Sequence, residues 1–191
     1  MFEIAGHTMG TPEYSVTEAI DLFSSIGLDG IEIVVQDGYR SGIPVDASMK
    51  ELLNIKEHAN KKHLQVICLT PYYADYNSLD DVIRNRSIEG LRKVIGYASL
   101  LGAQYIRIYG GNEQNSEYSA VDSVGYEEKR SRLIQAMRLL GDEASNVGVM
   151  LVIENHFNTM TVSAAQSATM LREINHRSEE RRVGKECRSR G

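Results

Sequence analysis

Five short apolar runs, each followed by a segment with helical spacing, constrain the fold of this chain more than any other feature. The runs lie at residues 2–6, 30–35, 64–69, 105–109 and 149–153. Between them, apolar residues recur every three or four positions, as on the buried face of a helix. Strands that alternate with crossover helices form parallel sheets. The sequence therefore predicts an α/β fold with helices outside a parallel sheet.

Capping residues mark the predicted helix ends. Capping-box spacing indicates the start of two predicted helices, at Ser15 with Glu18 and at Ser163 with Gln166. A glycine ends three of the predicted helices, at Gly27, Gly102 and Gly148. We further expect Asp46 to cap the second helix and the third helix to begin at Ser87.

The charge balance limits the possible partners. The 191 residues carry 21 Lys and Arg against 26 Asp and Glu, a net charge of −5. Six of these basic and three of these acidic residues lie at 177–191, so the preceding residues carry 15 basic and 23 acidic groups, a net charge of −8. So acidic a body does not favour nucleic-acid binding. There is no apolar run long enough to span a membrane and no secretory leader, so we expect a cytoplasmic protein without a membrane partner.

Residues 177–191 break the pattern of the preceding chain. They contain one aliphatic residue, Val183, and no helical or strand period. Such a composition is typical of a disordered basic tail. The string also resembles the translation of a sequencing-adapter oligonucleotide, in frame from Arg177, which would make it non-native. We therefore divide the chain into residues 1–176 and a non-native or disordered basic tail at 177–191.

The fifth apolar run ends in three chemically active side chains, Glu154, Asn155 and His156. In parallel α/β folds, the loops at the carboxyl ends of the strands surround the ligand site. Glu154 is therefore the first candidate for a functional residue. A loop cap or a surface salt bridge is the alternative role for this carboxylate.

Four segments carry a resemblance to a known family: Gly6-His7, Gly30-Ile31-Glu32-Ile33, Gly102-Ala103-Gln104-Tyr105-Ile106-Arg107 and Ile153-Glu154-Asn155-His156. In this order and spacing they resemble the xylose isomerase-like TIM barrels, a superfamily of sugar phosphate isomerases and epimerases. The resemblance covers residues 1–176. It implies a partial (β/α)8 TIM barrel of about five βα units, because a whole barrel takes about 250 residues.

The resemblance also implies a metal-assisted reaction. In that family the glutamate ending the fifth strand binds a divalent metal ion and acts as an acid/base, and Glu154 matches it. The implied ion is Mn²⁺, Mg²⁺, Co²⁺ or Zn²⁺, with its other ligands on strands absent from this chain. The reaction would isomerise or epimerise a sugar or sugar phosphate by moving a proton between neighbouring carbons through an enediolate.

Further side chains are candidates for binding this sugar. His7, His156 and Tyr72 follow strands and could contact substrate, with surface, loop-packing and rim-packing roles as their alternatives. Glu32 lies inside a strand, where a carboxylate needs a partner, and we expect it to form a structural ion pair with Arg107.

Other functions stay open at this point. An inosose-type dehydratase could use the same five units and differ only in other strands. A non-catalytic fragment would expose unpaired strand edges, and on this ground we expect the 191-residue chain alone to be inactive or poorly folded. A three-zinc endonuclease needs histidines where this chain has Leu69-Thr70-Pro71 and Tyr109-Gly110-Gly111. The two glycines could also admit a phosphate, although a tight turn explains them. A homo-oligomer of the longer protein is open as well.

Overall fold

The computed structural model describes residues 4–113 and 125–175. The strands are β1 (Ala5–His7), β2 (Gly30–Val35), β3 (Gly42–Ile43), β4 (Gln65–Pro71), β5 (Tyr105–Tyr109) and β6 (Met150–Glu154). The helices are α1 (Val16–Ser25), α2 (Met49–Lys61), α3 (Asp81–Leu101), α4 (Tyr126–Asn146) and α5 (Ala164–Ile174). All strand pairs are parallel, in the order β1-β2-β4-β5-β6 with β3 beside β2.

This order confirms the predicted alternation. The five predicted runs correspond to β1, β2, β4, β5 and β6. Phe2 and Glu3 of the first run lie outside the described residues, as does the tail predicted at 177–191. The short β3, which pairs with the end of β2, is not among the predicted strands. Two residues are too few to show strand periodicity.

The helix starts confirm two predictions and correct two. Both predicted capping boxes are formed. Asp46 does not cap α2, because Ser48 has Glu51 three residues later and forms a capping box with it, while Asp46 pairs with Lys93. Helix α3 begins six residues before the predicted Ser87, at Asp81. Its first turns are exposed and carry no apolar stripe, so periodicity could not detect them.

The outer face of the sheet forms the core with the helices. Side chains that are 0% exposed on this face include Ile31 and Ile33 of β2, Leu69 of β4, and Ile106 and Ile108 of β5. Because side chains alternate along a strand, the residues between them face the other way. That inner face carries most of the polar side chains of the strands.

Strand β6 is less covered than the strands before it. Within residues 4–113 and 125–175 it pairs only with β5, and none of its five residues is buried. On its outer side an apolar groove runs between β6, α4 and α5 and is lined in part by Ile153, Leu171 and Ile174. Among the described residues, no ionisable side chain lines this groove. In the described part of the chain, no helix is both long and apolar enough to cross a bilayer.

Candidate active site at the carboxyl end of the sheet

The strand register places a histidine, an arginine and two glutamates on the inner face. It pairs His7 with Glu32, Glu32 with Cys68, Cys68 with Tyr105, and Arg107 with Val152. Partners in a parallel register face the same side, and so do residues two apart on one strand. His7, Glu32, Arg107 and Glu154 therefore share the inner face, with Glu154 at the carboxyl end of β6.

Glu154 forms an ion pair with Arg107. The Nε of Arg107 lies 3.1 Å from Oε2 of Glu154, and the two side chains are 16% and 45% exposed. The guanidinium carbon also lies 4.6 Å from the ring centroid of Tyr109 and 5.7 Å from that of Tyr72, distances at which a cation and an aromatic ring attract. The rings of Tyr72 and Tyr109 and the carboxylate of Glu154 thus hold the guanidinium of Arg107 in place.

The predicted ion pair between Glu32 and Arg107 is not formed. Arg107 is paired with Glu154 instead, one strand away rather than two. Glu32 is half-buried and forms no hydrogen bond or ion pair with any residue of the described ranges. The structural role that we predicted for this pair is therefore wrong for the arrangement observed.

Both ring nitrogens of His7 have protein partners. Nδ1 accepts a hydrogen bond from Met9 N–H at 3.0 Å, and Nε2 lies 3.0 Å from the hydroxyl of Thr70, which itself donates to the carbonyl of Ile33. These bonds assign the neutral ring with its proton on Nε2. Burial lowers the pKa of His7, with the charge of Glu32 acting in the opposite direction. Substrate binding by a nitrogen of His7 stays a prediction that requires one of these bonds to open.

His156 differs from His7, because one of its nitrogens is free. Nδ1 lies 2.8 Å from the carbonyl of Phe157 and donates to it. Nε2 has no hydrogen-bond partner among the described residues and is left as an acceptor. The neighbouring Asn155 accepts a hydrogen bond from Ser167 of α5, on the outer side. Of the two histidines predicted to bind substrate, His156 is the one with an unused nitrogen.

Five rings form a continuous aromatic wall beside Arg107: Tyr39, Tyr72, Tyr109, His156 and Phe157. Successive centroids lie 6.1, 6.1, 4.9 and 4.1 Å apart. Burial raises the pKa of Tyr72, which was predicted to bind substrate, so its side chain stays a neutral phenol. Its neighbour Tyr73 packs against Gly90 of α3 instead of joining the wall. Sequence reasoning missed Tyr39 and Tyr109, although the position of Tyr109 at the end of β5 was a usable signal.

Packing explains the two glycines after β5. A Cβ on Gly110 would lie 2.0 Å from the hydroxyl of Thr161, and Gly111 has a φ of 75° with Asn77 close by. Both positions therefore require glycine for reasons of space or backbone conformation. Packing alone thus accounts for both glycines, and the phosphate site at these residues stays a prediction.

The donor set of the described residues does not fit a metal ion. Among residues 4–113 and 125–175, no three His, Cys, Asp or Glu side chains lie close enough together to hold one. Glu154 has a guanidinium as its neighbour. Burial raises the pKa of the Cys68 thiol to about 12, so this group is a neutral thiol in the arrangement described.

The fold is similar to several solved structures. A D-allulose 3-epimerase from Methylomonas sp., in complex with D-allulose, matches with a TM-score of 0.71 and 21% identity, over 92% of this chain and 59% of that one. The probable 3-DHS dehydratase AsbF from Bacillus anthracis matches with a TM-score of 0.70 and 16% identity, over 92% and 60%. The IOLI protein with a bound zinc atom matches with a TM-score of 0.72 and 18% identity, over 92% and 60%.

At these identities the likeness shows the fold alone, and the chain spans about 60% of the length of each structure. No curated protein sequence matches the chain. A sequence profile of the family described as xylose isomerase-like TIM barrel matches residues 20–180, which is more than half of the chain. The parallel sheet, the outer helices and the structural neighbours agree with that match. The chain therefore belongs to the xylose isomerase-like TIM barrel family, and its five βα units form part of such a barrel.

Proposed function

We propose that this chain carries the acid/base of a sugar isomerase or epimerase, and that Glu154 is that group. The observation that carries the proposal is the position of Glu154: inner face, carboxyl end of the sheet, 45% exposed. A carboxylate there can reach a ligand that enters from the open end of the sheet. The epimerase among the structural neighbours supports the same class of reaction.

The neighbouring groups suit a proton transfer next to a carbonyl. Glu154 would take a proton from the carbon beside the carbonyl. An isomerase would return it to the neighbouring carbon, whereas an epimerase needs a second acid on the opposite face of the sugar to return a proton to the same carbon. The fixed positive charge of Arg107 would offset the negative charge that develops on the enediolate oxygen. His156 Nε2 would accept a hydrogen bond from a sugar hydroxyl, and Tyr72 would lie along the face of the sugar. His7 would join them once a ring nitrogen is released.

A metal ion enters this proposal in one respect only. Glu154 is the single ligand that the described residues would contribute to a Mn²⁺, Mg²⁺, Co²⁺ or Zn²⁺ ion, so no step is assigned to the ion. The substrate would be a small sugar, and neither its identity nor its phosphorylation is part of the proposal. A cytoplasmic location and a homo-oligomer of the longer protein also stay proposals.

Exchange of solvent deuterium into the sugar tests the role of Glu154. The 191-residue chain is incubated with ketohexoses in D₂O, with and without Mn²⁺, and deuterium at the carbons next to the carbonyl is followed by NMR. Any exchange above background should fall by about 10²- to 10⁴-fold in Glu154→Gln, since a positioned acid/base contributes about that factor. Glu57→Gln, on the exposed side of α2, is the matched control.

The outcomes separate the open alternatives. Exchange that is unchanged in Glu154→Gln contradicts the assignment of the base, and a chain without any exchange behaves as the non-catalytic fragment. A dehydratase also begins by removing a proton beside a carbonyl, and a neighbour of that kind favours it as the second candidate. Loss of water forms a conjugated product with a new ultraviolet absorbance, whereas an isomerase or epimerase leaves the molecular formula unchanged.

A further inference from the structure

Two polar groups on the inner face lack partners. The Nη1 atom of Arg107 is buried and has no hydrogen-bond acceptor in the described part of the chain. Glu32, half-buried on the same face, has neither a hydrogen bond nor an ion pair there. Buried polar groups in native proteins are nearly always paired, because an unpaired one keeps its full desolvation cost. A buried donor without an acceptor therefore shares a face with a half-buried carboxylate that has no protein donor among the described residues.

The register brings these two groups within reach of each other. Glu32 and Arg107 are two strands and two residues apart, which corresponds to roughly 12 Å between their Cα atoms. Both side chains project to the inner face, and the charges of both act on Cys68 and on His7. Extended glutamate and arginine side chains that point towards each other cover this separation. Arg107 thus has two carboxylates available and pairs with one of them, Glu154.

We propose that Glu32 is a positioning residue: it receives the guanidinium of Arg107 when Glu154 leaves the ion pair to act on the substrate. This inference rests on the acid/base role proposed above for Glu154. Releasing Glu154 alone would leave the charge of Arg107 buried without a counter-ion, which is strongly unfavourable. A second carboxylate on the same face removes that cost, because the guanidinium exchanges one partner for another. Glu32 acts through Arg107 and does not touch the sugar.

A double-mutant cycle on folding tests the exchange without any assay of activity. Glu32→Gln, Glu154→Gln and the combined variant are compared with the unchanged chain by urea denaturation. In each single variant Arg107 keeps one carboxylate, and in the combined variant it keeps none. We expect the unfolding equilibrium constant of the combined variant to exceed the product of the two single effects by about tenfold, within the range of coupled neighbours. As a control, the effects of Glu57→Gln and Glu154→Gln on the unfolding equilibrium constant should simply multiply, since Glu57 is exposed on α2.

Hydrogen exchange of the Arg107 guanidinium provides a signature that a purely structural Glu32 would not produce. Its Nε–H signal should stay protected within about tenfold in Glu154→Gln, because Glu32 takes over, and should lose protection in the combined variant. A combined variant that fails to fold while both single variants and the control pair fold also supports the exchange. The exchange is contradicted if the effects of Glu32→Gln and Glu154→Gln on the unfolding equilibrium constant simply multiply. It is also contradicted if the Arg107 Nε–H loses protection in Glu154→Gln alone.

The proposed function can fail independently of this exchange. If Glu154→Gln leaves deuterium exchange into the sugar unchanged, the base is wrongly assigned while the cycle still reports on Arg107. If the base is right, Glu32→Gln should lower kcat about tenfold with KM unchanged, because Glu32 assists a step after binding. A change in KM alone would contradict a positioning role for Glu32.

Discussion

Strands β2 and β6 belong to one parallel sheet, and both appear in the sequence as apolar runs, but their surroundings differ. β2 has β1 and β3 on one side and β4 on the other, and five of its six residues are buried. β6 has β5 as its strand neighbour among the described residues, and none of its five residues is buried. Apolar composition identifies a strand, whereas the number of its neighbours decides how much that strand adds to the core.

The carboxylates of the two strands differ in the same way. Glu32 stands in the middle of β2, is half-buried, and forms no hydrogen bond or ion pair in the described ranges. Glu154 ends β6, is 45% exposed and is paired with Arg107. A carboxylate in a covered strand costs free energy, while one at the open end of a sheet stays hydrated and accessible to a ligand.

The largest effect that we expect from this contrast is on core packing. Ile33 of β2 is 0% exposed, whereas Ile153 of β6 is half-buried beside the apolar groove. Ile33→Ala should lower the free energy of unfolding by about 3–4 kcal/mol, and Ile153→Ala by about 1 kcal/mol, because a half-exposed side chain gains less from burial. Urea denaturation of both variants measures this. Equal losses would mean that β6 is as well covered as β2.

The strands were predictable from the sequence wherever burial imposes a pattern. β2 and β5 have the predicted bounds, because each is an apolar stretch with a single charged residue inside it and turn residues on both sides. β4 runs two residues beyond its predicted end, through Thr70 and Pro71, since a proline can still occupy the last position of a strand. The missed start of α3 was exposed, and exposed turns leave no hydrophobic period to detect.

The candidate site was predictable in its location and not in its pairing. The rule that strand ends surround the ligand site identified Glu154. The sequence did not reveal that Arg107 pairs with Glu154 rather than Glu32, because that choice depends on the register between β5 and β6. Tyr39 joins the aromatic wall from a loop. The path of a loop cannot be predicted from the hydrophobic periodicity of the sequence.

A smaller effect is expected from adding volume to the two strands. A Cβ on Gly30 of β2 would lie 2.2 Å from Cδ1 of Ile67 and 3.0 Å from the backbone oxygen of Gln65. Gly30→Ala should therefore lower the free energy of unfolding by about 1–3 kcal/mol, the usual cost of overpacking. Val152→Ile, on the half-exposed inner face of β6, should change it by less than about 0.5 kcal/mol. Thermal or urea denaturation decides, and a costly Val152→Ile would show that the inner face of β6 is tightly packed.

The smallest effect concerns His7, which ends β1 and faces β2. Burial lowers the pKa of His7 below its usual value of 6.5, so between that folded value and 6.5 the unfolded chain binds a proton that the folded chain excludes. The contribution of the neutral ring to stability is therefore complete above pH 6.5 and is lost as the pH falls through this window. Glu32 and Glu154 favour the protonated ring and Arg107 opposes it, without reversing the effect of burial.

His7→Gln isolates this contribution, because glutamine can still donate to the Thr70 hydroxyl but does not titrate. The free energy of unfolding is measured between pH 7.5 and pH 5 for both chains, and the contributions of all other ionisable groups cancel in the difference. We expect the unchanged chain to lose more stability than His7→Gln on acidification. Parallel curves would mean that the His7 ring is as well hydrated in the folded chain as in the unfolded one. In that case β1, the strand next to β2, would be as open to water as β6. The difference in burial between β2 and β6 would then apply only to the middle of the sheet.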